Sequence, residues 1–280
     1  MLGITNNLMY PKHSGKSRVQ IYGNTFNNVT GYGSSSNYTG LDAGWIKHTD
    51  VDSGDGTLYG STVTNNTGTA SGWMFKNNRT GSTGTGAGGG MTGELDTGSG
   101  AWSATGQPYL YYEATAAGSD PNNVLRSMIG MPSLDFGAYE EVQIEFWFHA
   151  YGAGFGSDGG VGIAVTDSAT SASSADQVGA NLGFTSDTEG GAEITYTNLS
   201  GSVVNTKRFN TQVQTDGGDL GDTPNASTNY WIKAIANINN ASGVDGCRIW
   251  FAMFTSATGS TSTDYKQDFC IDNIKVTGLI

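Results

Sequence analysis

The segment Glu141–Tyr151 constrains the fold more than any other part of the chain, because its apolar and polar residues alternate. Successive side chains of a β-strand point to opposite faces, so this alternation predicts a strand with one apolar face. The apolar face would consist of Val142, Ile144, Phe146, Phe148 and Ala150, and the other face of Glu141, Gln143, Glu145, Trp147 and His149. One such strand cannot bury itself, so a second sheet is predicted to pack against it.

Further strand signals follow at regular spacing, separated by turns rich in Gly, Ser and Asp. The 43 glycines and 5 prolines are typical of many tight turns, and no long window has helical periodicity. We therefore predict an all-β fold, an antiparallel β-sandwich of the jelly-roll type. The predicted strands are 109–113, 123–127, 141–151, 160–166, 193–198, 202–209, 230–238, 247–255 and 269–276, with weaker candidates at 18–22 and 72–76.

Residues 1–60 differ from the rest of the chain, because their sequence is irregular and contains a single short strand candidate. We predict an irregular, extended N-terminal arm or assembly segment over residues 1–60, followed by a sandwich domain over residues 61–280. Such an arm would wrap a neighbouring subunit and become ordered on binding. Residues 1–10 hold no basic stretch followed by an apolar core, so no signal peptide is expected. No membrane span is expected either, since no apolar run is long enough.

The net charge of −12 argues against a nucleic-acid partner, because phosphate binding needs clustered Lys and Arg. We also expect no cofactor, with Ca²⁺ as the one ion for which the sequence offers ligands. Asp50, Asp52 and Asp55 lie on a glycine-containing turn, and carboxylates in a turn can bind a hard cation. A plain structural turn is the alternative and the favoured interpretation.

The two cysteines lie on predicted strands that flank a Ser/Thr/Gly loop centred near Gly259. If these strands form a hairpin, symmetric pairing places Cys247 opposite Cys270, and a disulfide is sterically conceivable. Two buried thiols that pack as small apolar groups are an equally good interpretation.

The order of motifs resembles that of MAM-type domains, concanavalin-like jelly rolls used in adhesion and assembly. The resemblance rests on four segments, at 106–113, 124–134, 144–152 and 160–165, and on the ending Phe269-Cys-Ile-Asp-Asn-Ile-Lys-Val276. It covers roughly residues 72–278 and implies a sandwich fold with an adhesive or assembly role.

A second, shorter resemblance implies a catalytic function. Glu141-Val-Gln-Ile-Glu-Phe146 is similar to the catalytic strand of retaining β-glucanases, which implies Glu141 as nucleophile and Glu145 as acid/base. In that family an acid stands at the middle position, where this chain has Gln143, and a neutral amide cannot tune its neighbours by charge. Trp147 and His149 on the same face would either line a sugar groove or pack under a loop.

We therefore predict a non-enzymatic structural or adhesive protein of a larger assembly. In its acidic, Gly/Ser/Thr/Asn-rich composition and its predicted sandwich fold, rather than in any motif, the chain resembles virion proteins of tailed bacteriophages. Examples are capsid decoration proteins, head fibres and tail adaptors or fibres. This implies a location in the virion, after assembly in the host cytoplasm, and partners that are other copies of the chain and other virion subunits. The alternatives are an extracellular carbohydrate-binding module that recognises surface glycans, and a hydrolase that uses Glu141 and Glu145.

Overall fold

The computed structural model describes residues 16–31, 39–49, 61–62, 72–77, 99–102, 107–113, 125–151, 159–166, 192–197, 201–206, 208–209, 230–238, 245–255 and 268–280. Within these ranges every regular element is a β-strand, and the strand pairs within each of the two sheets are antiparallel. None of the described residues forms a helix that is long and apolar enough to cross a membrane.

The larger sheet has nine strands. They are β1 (Arg18–Asn24), β4 (Gly72–Lys76), β5 (Ser99–Trp102), β6 (Tyr109–Glu113), β8 (Glu141–Tyr151), β10 (Glu193–Thr197), β11 (Val203–Thr206), β13 (Tyr230–Asn237) and β15 (Asp268–Leu279). Their order is β11-β10-β13-β8-β15-β6-β4, with β1 also paired to β15 and β5 to β13. The strand that first indicated the fold, β8, therefore lies in the middle of this sheet, between β13 and β15.

The smaller sheet has six strands in the order β12-β9-β14-β7-β2-β3. They are β2 (Ile46–Thr49), β3 (Ser61–Thr62), β7 (Leu125–Gly130), β9 (Gly159–Thr166), β12 (Arg208–Phe209) and β14 (Arg248–Thr255). The strand β14 pairs with β9 along its whole length and with β7 on its other side, so it is the centre of this sheet.

The main core lies between the two sheets. Alternate residues of β8, from Val142 to Ala150, are all buried there, as the alternation predicted. Phe146 on β8 meets Phe251 on β14 in an edge-to-face contact with ring centroids 5.4 Å apart. This contact joins the centres of both sheets, and the prediction of an all-β antiparallel sandwich is confirmed.

Two of the described segments within residues 1–60 belong to the sheets. β1 pairs with β15 from Arg18 to Asn24, and β2 pairs with β7 in the other sheet. Between these strands Phe26, Val29 and Trp45 are buried in the main core. Residues 18–24 and 46–49 are therefore strands of the two sheets, and the division of the chain at residue 60 stays a prediction.

The predicted hairpin that would bring Cys247 opposite Cys270 is wrong. β14 and β15 belong to different sheets, so the chain crosses the sandwich between them. Cys247 lies in the main core beside Leu134, whereas Cys270 packs in a second cluster with Trp147 and Trp231. Both are buried thiols and form no disulfide with each other. Two alternating strands around a turn-rich loop look alike in sequence whether they pair or cross between sheets.

Candidate functional site

The two carboxylates of β8 that resemble a glycanase pair, Glu141 and Glu145, are held by cations of β1 and β13. Glu141 accepts a hydrogen bond from the Arg18 guanidinium of β1. Glu145 pairs with Lys233 of β13, with 2.6 Å between Oε2 and Nζ. Between them the Gln143 amide donates to Asn237 Oδ1 at 2.9 Å. This face of β8 is therefore a row of cross-strand polar contacts.

Glu141 and Glu145 lie four residues apart on β8, with Gln143 between them. The register of β8 against β13 is regular from Gln143 to Phe148. Against β15 the irregularity falls on β15, between Asp272 and Lys275. Each carboxylate is paired with a different cation, Glu141 with Arg18 and Glu145 with Lys233, so both take part in contacts between strands.

Trp147 and His149 do not line an open groove. Their exposed fractions are 2% and 1%. Trp147 packs with Tyr109, Tyr111 and Trp231 in a second apolar cluster on the face of the sheet away from the main core. Of the two interpretations of Trp147 and His149, a sugar groove and packing, their burial agrees with packing.

Asp50, Asp52 and Asp55 lie outside the described residues, so a calcium site at that turn stays a prediction. Within the described ranges, no group of three or more His, Cys, Asp and Glu side chains is placed to hold a metal ion.

The cavity that stands out lies instead at the junction of β1, the β1–β2 connection and β15, with a volume of about 360 Å³. Each strand carries a β-bulge there. The register of β1 shifts between Gln20 and Tyr22, and that of β15 between Asp272 and Lys275. Bulges re-aim side chains and are common beside binding sites. We call this cavity the amide cleft; its lining consists of Gln20, Gly23, Asn24, Thr25, Asn27, Asn28, Gly40, Asp42, Asn273, Ile274 and Lys275.

A hydrogen-bond network fixes one wall of the amide cleft. Asp42 Oδ2 accepts from the Tyr22 hydroxyl and from Asn24 Nδ2, both at 2.8 Å. The Tyr22 hydroxyl in turn accepts from the indole nitrogen of buried Trp45 at 3.1 Å. Burial raises the pKa of Tyr22, a hydrogen bond from Asn24 opposes this, and the bond to Asp42 adds to it. The hydroxyl therefore stays protonated and keeps donating to Asp42.

The backbone that carries the other wall is tightly folded. Asn24 Oδ1 accepts from the backbone N–H of Phe26, which has a φ of 54° and is buried in the core. Gly40 has a φ of 79°, and a Cβ at this position would lie 1.9 Å from the carbonyl oxygen of Asn28. Only glycine permits this approach, which brings residue 40 against Asn28 and closes the cleft.

Sequence reasoning missed the amide cleft. Its signal in the sequence is the cluster Asn24, Asn27 and Asn28, which by itself indicates only a turn. The cleft also needs Asn273 and Lys275 from the far end of the chain, and these approach only because β1 pairs with β15.

No protein-family description and no curated protein sequence matches this chain. Several solved structures are similar in overall course. The K1 cleaved adhesin domain of Lys-gingipain from Porphyromonas gingivalis W83 is 14% identical, with a TM-score of 0.37, over 94% of this chain and 98% of that one. The K3 domain of the same protein is 14% identical, with a TM-score of 0.38, over 93% and 100%. An apo-form cyclase from Fischerella sp. is 11% identical, with a TM-score of 0.31, over 94% and 97%.

Proposed function

We propose that this chain is a non-enzymatic structural and adhesive protein that works within a larger assembly. The observation that carries the proposal concerns β8. The sequence of this strand resembles a catalytic one, but its carboxylates, Glu141 and Glu145, are engaged by Arg18 and Lys233. A general acid must reach a substrate oxygen and change its protonation state. Here the two carboxylates are instead engaged in ion pairs that link β8 to β1 and to β13.

The assembly that we propose is a virion, with the chain as a decoration, head-fibre or tail-fibre component built from several copies. Support comes from the acidic, Gly/Ser/Thr/Asn-rich composition and from a rigid sandwich that can carry a binding surface. Recognition of surface glycans is the alternative form of this adhesive function. The buried Trp147 and His149 do not support a glycan groove on β8, so such recognition would use another part of the surface.

The first test concerns hydrolysis. The purified chain should release no reducing sugar from a panel of β-glucans, and E141Q and E145Q should behave as the unchanged protein does. Both variants should also unfold at nearly the same denaturant concentration, because partly exposed ion pairs contribute about 0–1 kcal/mol. Reducing-sugar release that is lost in E141Q would overturn the proposal.

The second test concerns assembly. Deletion of residues 1–15 leaves β1 in place, whereas deletion of residues 1–24 removes the strand that pairs with β15. We expect the first deletion to stay folded but to shift the protein from oligomer to monomer in analytical ultracentrifugation, because it removes the first 15 residues of the assembly segment predicted over residues 1–60. The second deletion should also lower the melting temperature. If the 1–15 deletion retains the oligomeric state of the full chain, those residues do not mediate assembly.

A further inference from the structure

The side chains of the amide cleft offer an unusual set of hydrogen-bonding groups. Five of its lining residues carry a side-chain amide, namely Gln20, Asn24, Asn27, Asn28 and Asn273. Each amide presents both a donor and an acceptor at one site. The hydroxyl groups of sugars likewise donate and accept, so a surface of amides matches a polyhydroxylated ligand better than it matches a purely anionic or cationic one.

The charges of the cleft favour a neutral ligand. The lining holds one carboxylate, Asp42, and one ammonium, Lys275. Asp42 already accepts hydrogen bonds from Tyr22 and Asn24, so much of its capacity is used inside the wall. Phosphate recognition relies on clustered cations, and Ca²⁺ on about 6–8 oxygen ligands, commonly with several carboxylates. A single opposed pair of charges fits neither.

The cleft combines a fixed wall with available groups. Asn24 is held at both ends of its amide, by Asp42 and by the Phe26 N–H. Gln20, Asn27 and Asn28 are exposed, and their side chains take part in no hydrogen bond among the described residues. A preorganised wall reduces the entropy lost on binding. The exposed amides of Gln20, Asn27 and Asn28 are then left to contact a ligand.

The size of the cleft is that of a small-ligand site. Its volume of about 360 Å³ lies in the range of about 300–1,000 Å³ that is usual for ligand pockets. We infer that the amide cleft is a binding site for a neutral saccharide unit, bound through the amides of Asn27, Asn28 and Gln20 against the wall formed by Asn24 and Asp42. This inference deepens the adhesive function proposed above and rests on it, because it names the class of surface ligand.

Chemical-shift mapping of the ¹⁵N-labelled full chain tests the inference directly. The probes are the methyl glycosides of glucose, galactose, mannose and N-acetylglucosamine, titrated separately into the millimolar range. At least one glycoside should shift the backbone signals of Gly23 and Gly40, which lie in the cleft wall. The double variant N27A/N28A should weaken that binding by about tenfold or more, since two hydrogen-bonding groups are lost.

The matched control is N205A, which removes an exposed asparagine of β11, outside the cleft. It should bind the same glycoside as the unchanged protein does, and N27A/N28A should retain the dispersed spectrum of a folded sandwich. Three results would overturn the inference. These are no shift with any of the four glycosides, binding that N27A/N28A leaves intact, and shifts at Gly23 and Gly40 with CaCl₂ but not with sugars. None of them bears on the oligomer test of residues 1–15, so the two proposals fail separately.

Discussion

Replacement of Phe146 by alanine is expected to lower the free energy of unfolding by about 3–5 kcal/mol. Phe146 lies at the centre of β8, is fully buried, and contacts Phe251 of the opposite sheet at 5.4 Å between ring centroids. The variant loses the transfer free energy of the ring and leaves a cavity that the two packed sheets fill only in part. Equilibrium urea unfolding followed by tryptophan fluorescence would measure the loss.

Two companion variants make this prediction specific to contact between the sheets. I280A removes an apolar side chain that is 57% exposed and should change the free energy of unfolding by less than about 0.5 kcal/mol. A double-mutant cycle of F146A with F251A should give a coupling free energy of about 0.5–1.5 kcal/mol, as aromatic pairs do. Strict additivity of the two substitutions would show that the rings do not act together across the sandwich.

The strands that can be predicted from the sequence are those with alternation over five residues or more. The bounds of β4, β6 and β8 agree with the prediction residue for residue. Their inward residues sit in the main core because alternation is a local consequence of strand geometry. β2, β3 and β5 have two to four residues, too few for a period to emerge, and pairing with longer strands defines them.

What the alternation did not predict is burial on the second face of β8. Trp147 is covered because Tyr109 and Tyr111 of β6 and Trp231 of β13 lie in the same outer cluster. These residues come from positions far apart in sequence, and their convergence depends on the order of strands in the sheet. An alternating pattern shows that the two faces of a strand differ. Whether a second apolar cluster covers the outer face depends on the order of strands in the sheet, which the pattern does not contain.

The amide cleft shows the same dependence on topology. Asn27 and Asn28 are ordinary turn residues when they are considered alone. They become part of a site only because β1 pairs with β15, which brings Asn273 and Lys275 of the β15 bulge into the lining of the same cleft. A bulge is one or two extra residues in a ladder, and nothing in the local sequence marks which strand will carry it.

The second large effect is expected at Arg248, which connects three parts of the smaller sheet. Its guanidinium nitrogen Nη1 donates to the carbonyl oxygen of Gly44 at 2.6 Å and to that of Met131. Gly44 precedes β2 and Met131 follows β7, so one side chain of β14 satisfies the backbone at both strand ends. R248M keeps the apolar stem but leaves two carbonyls without this donor, at a cost of about 2–3 kcal/mol in the free energy of unfolding.

The control for Arg248 is the same substitution at Arg18. Arg18 pairs with Glu141 while both side chains remain about one-third exposed. Water replaces that pair when it is lost, so R18M should cost only about 0–1 kcal/mol. Arg248 is more buried, and burial lowers its pKa, which reflects the desolvation that its carbonyl partners offset. Urea unfolding of both variants separates the two cases. Equal losses would mean that Arg248 acts as a surface charge, and that the ends of β2 and β7 are held by other contacts.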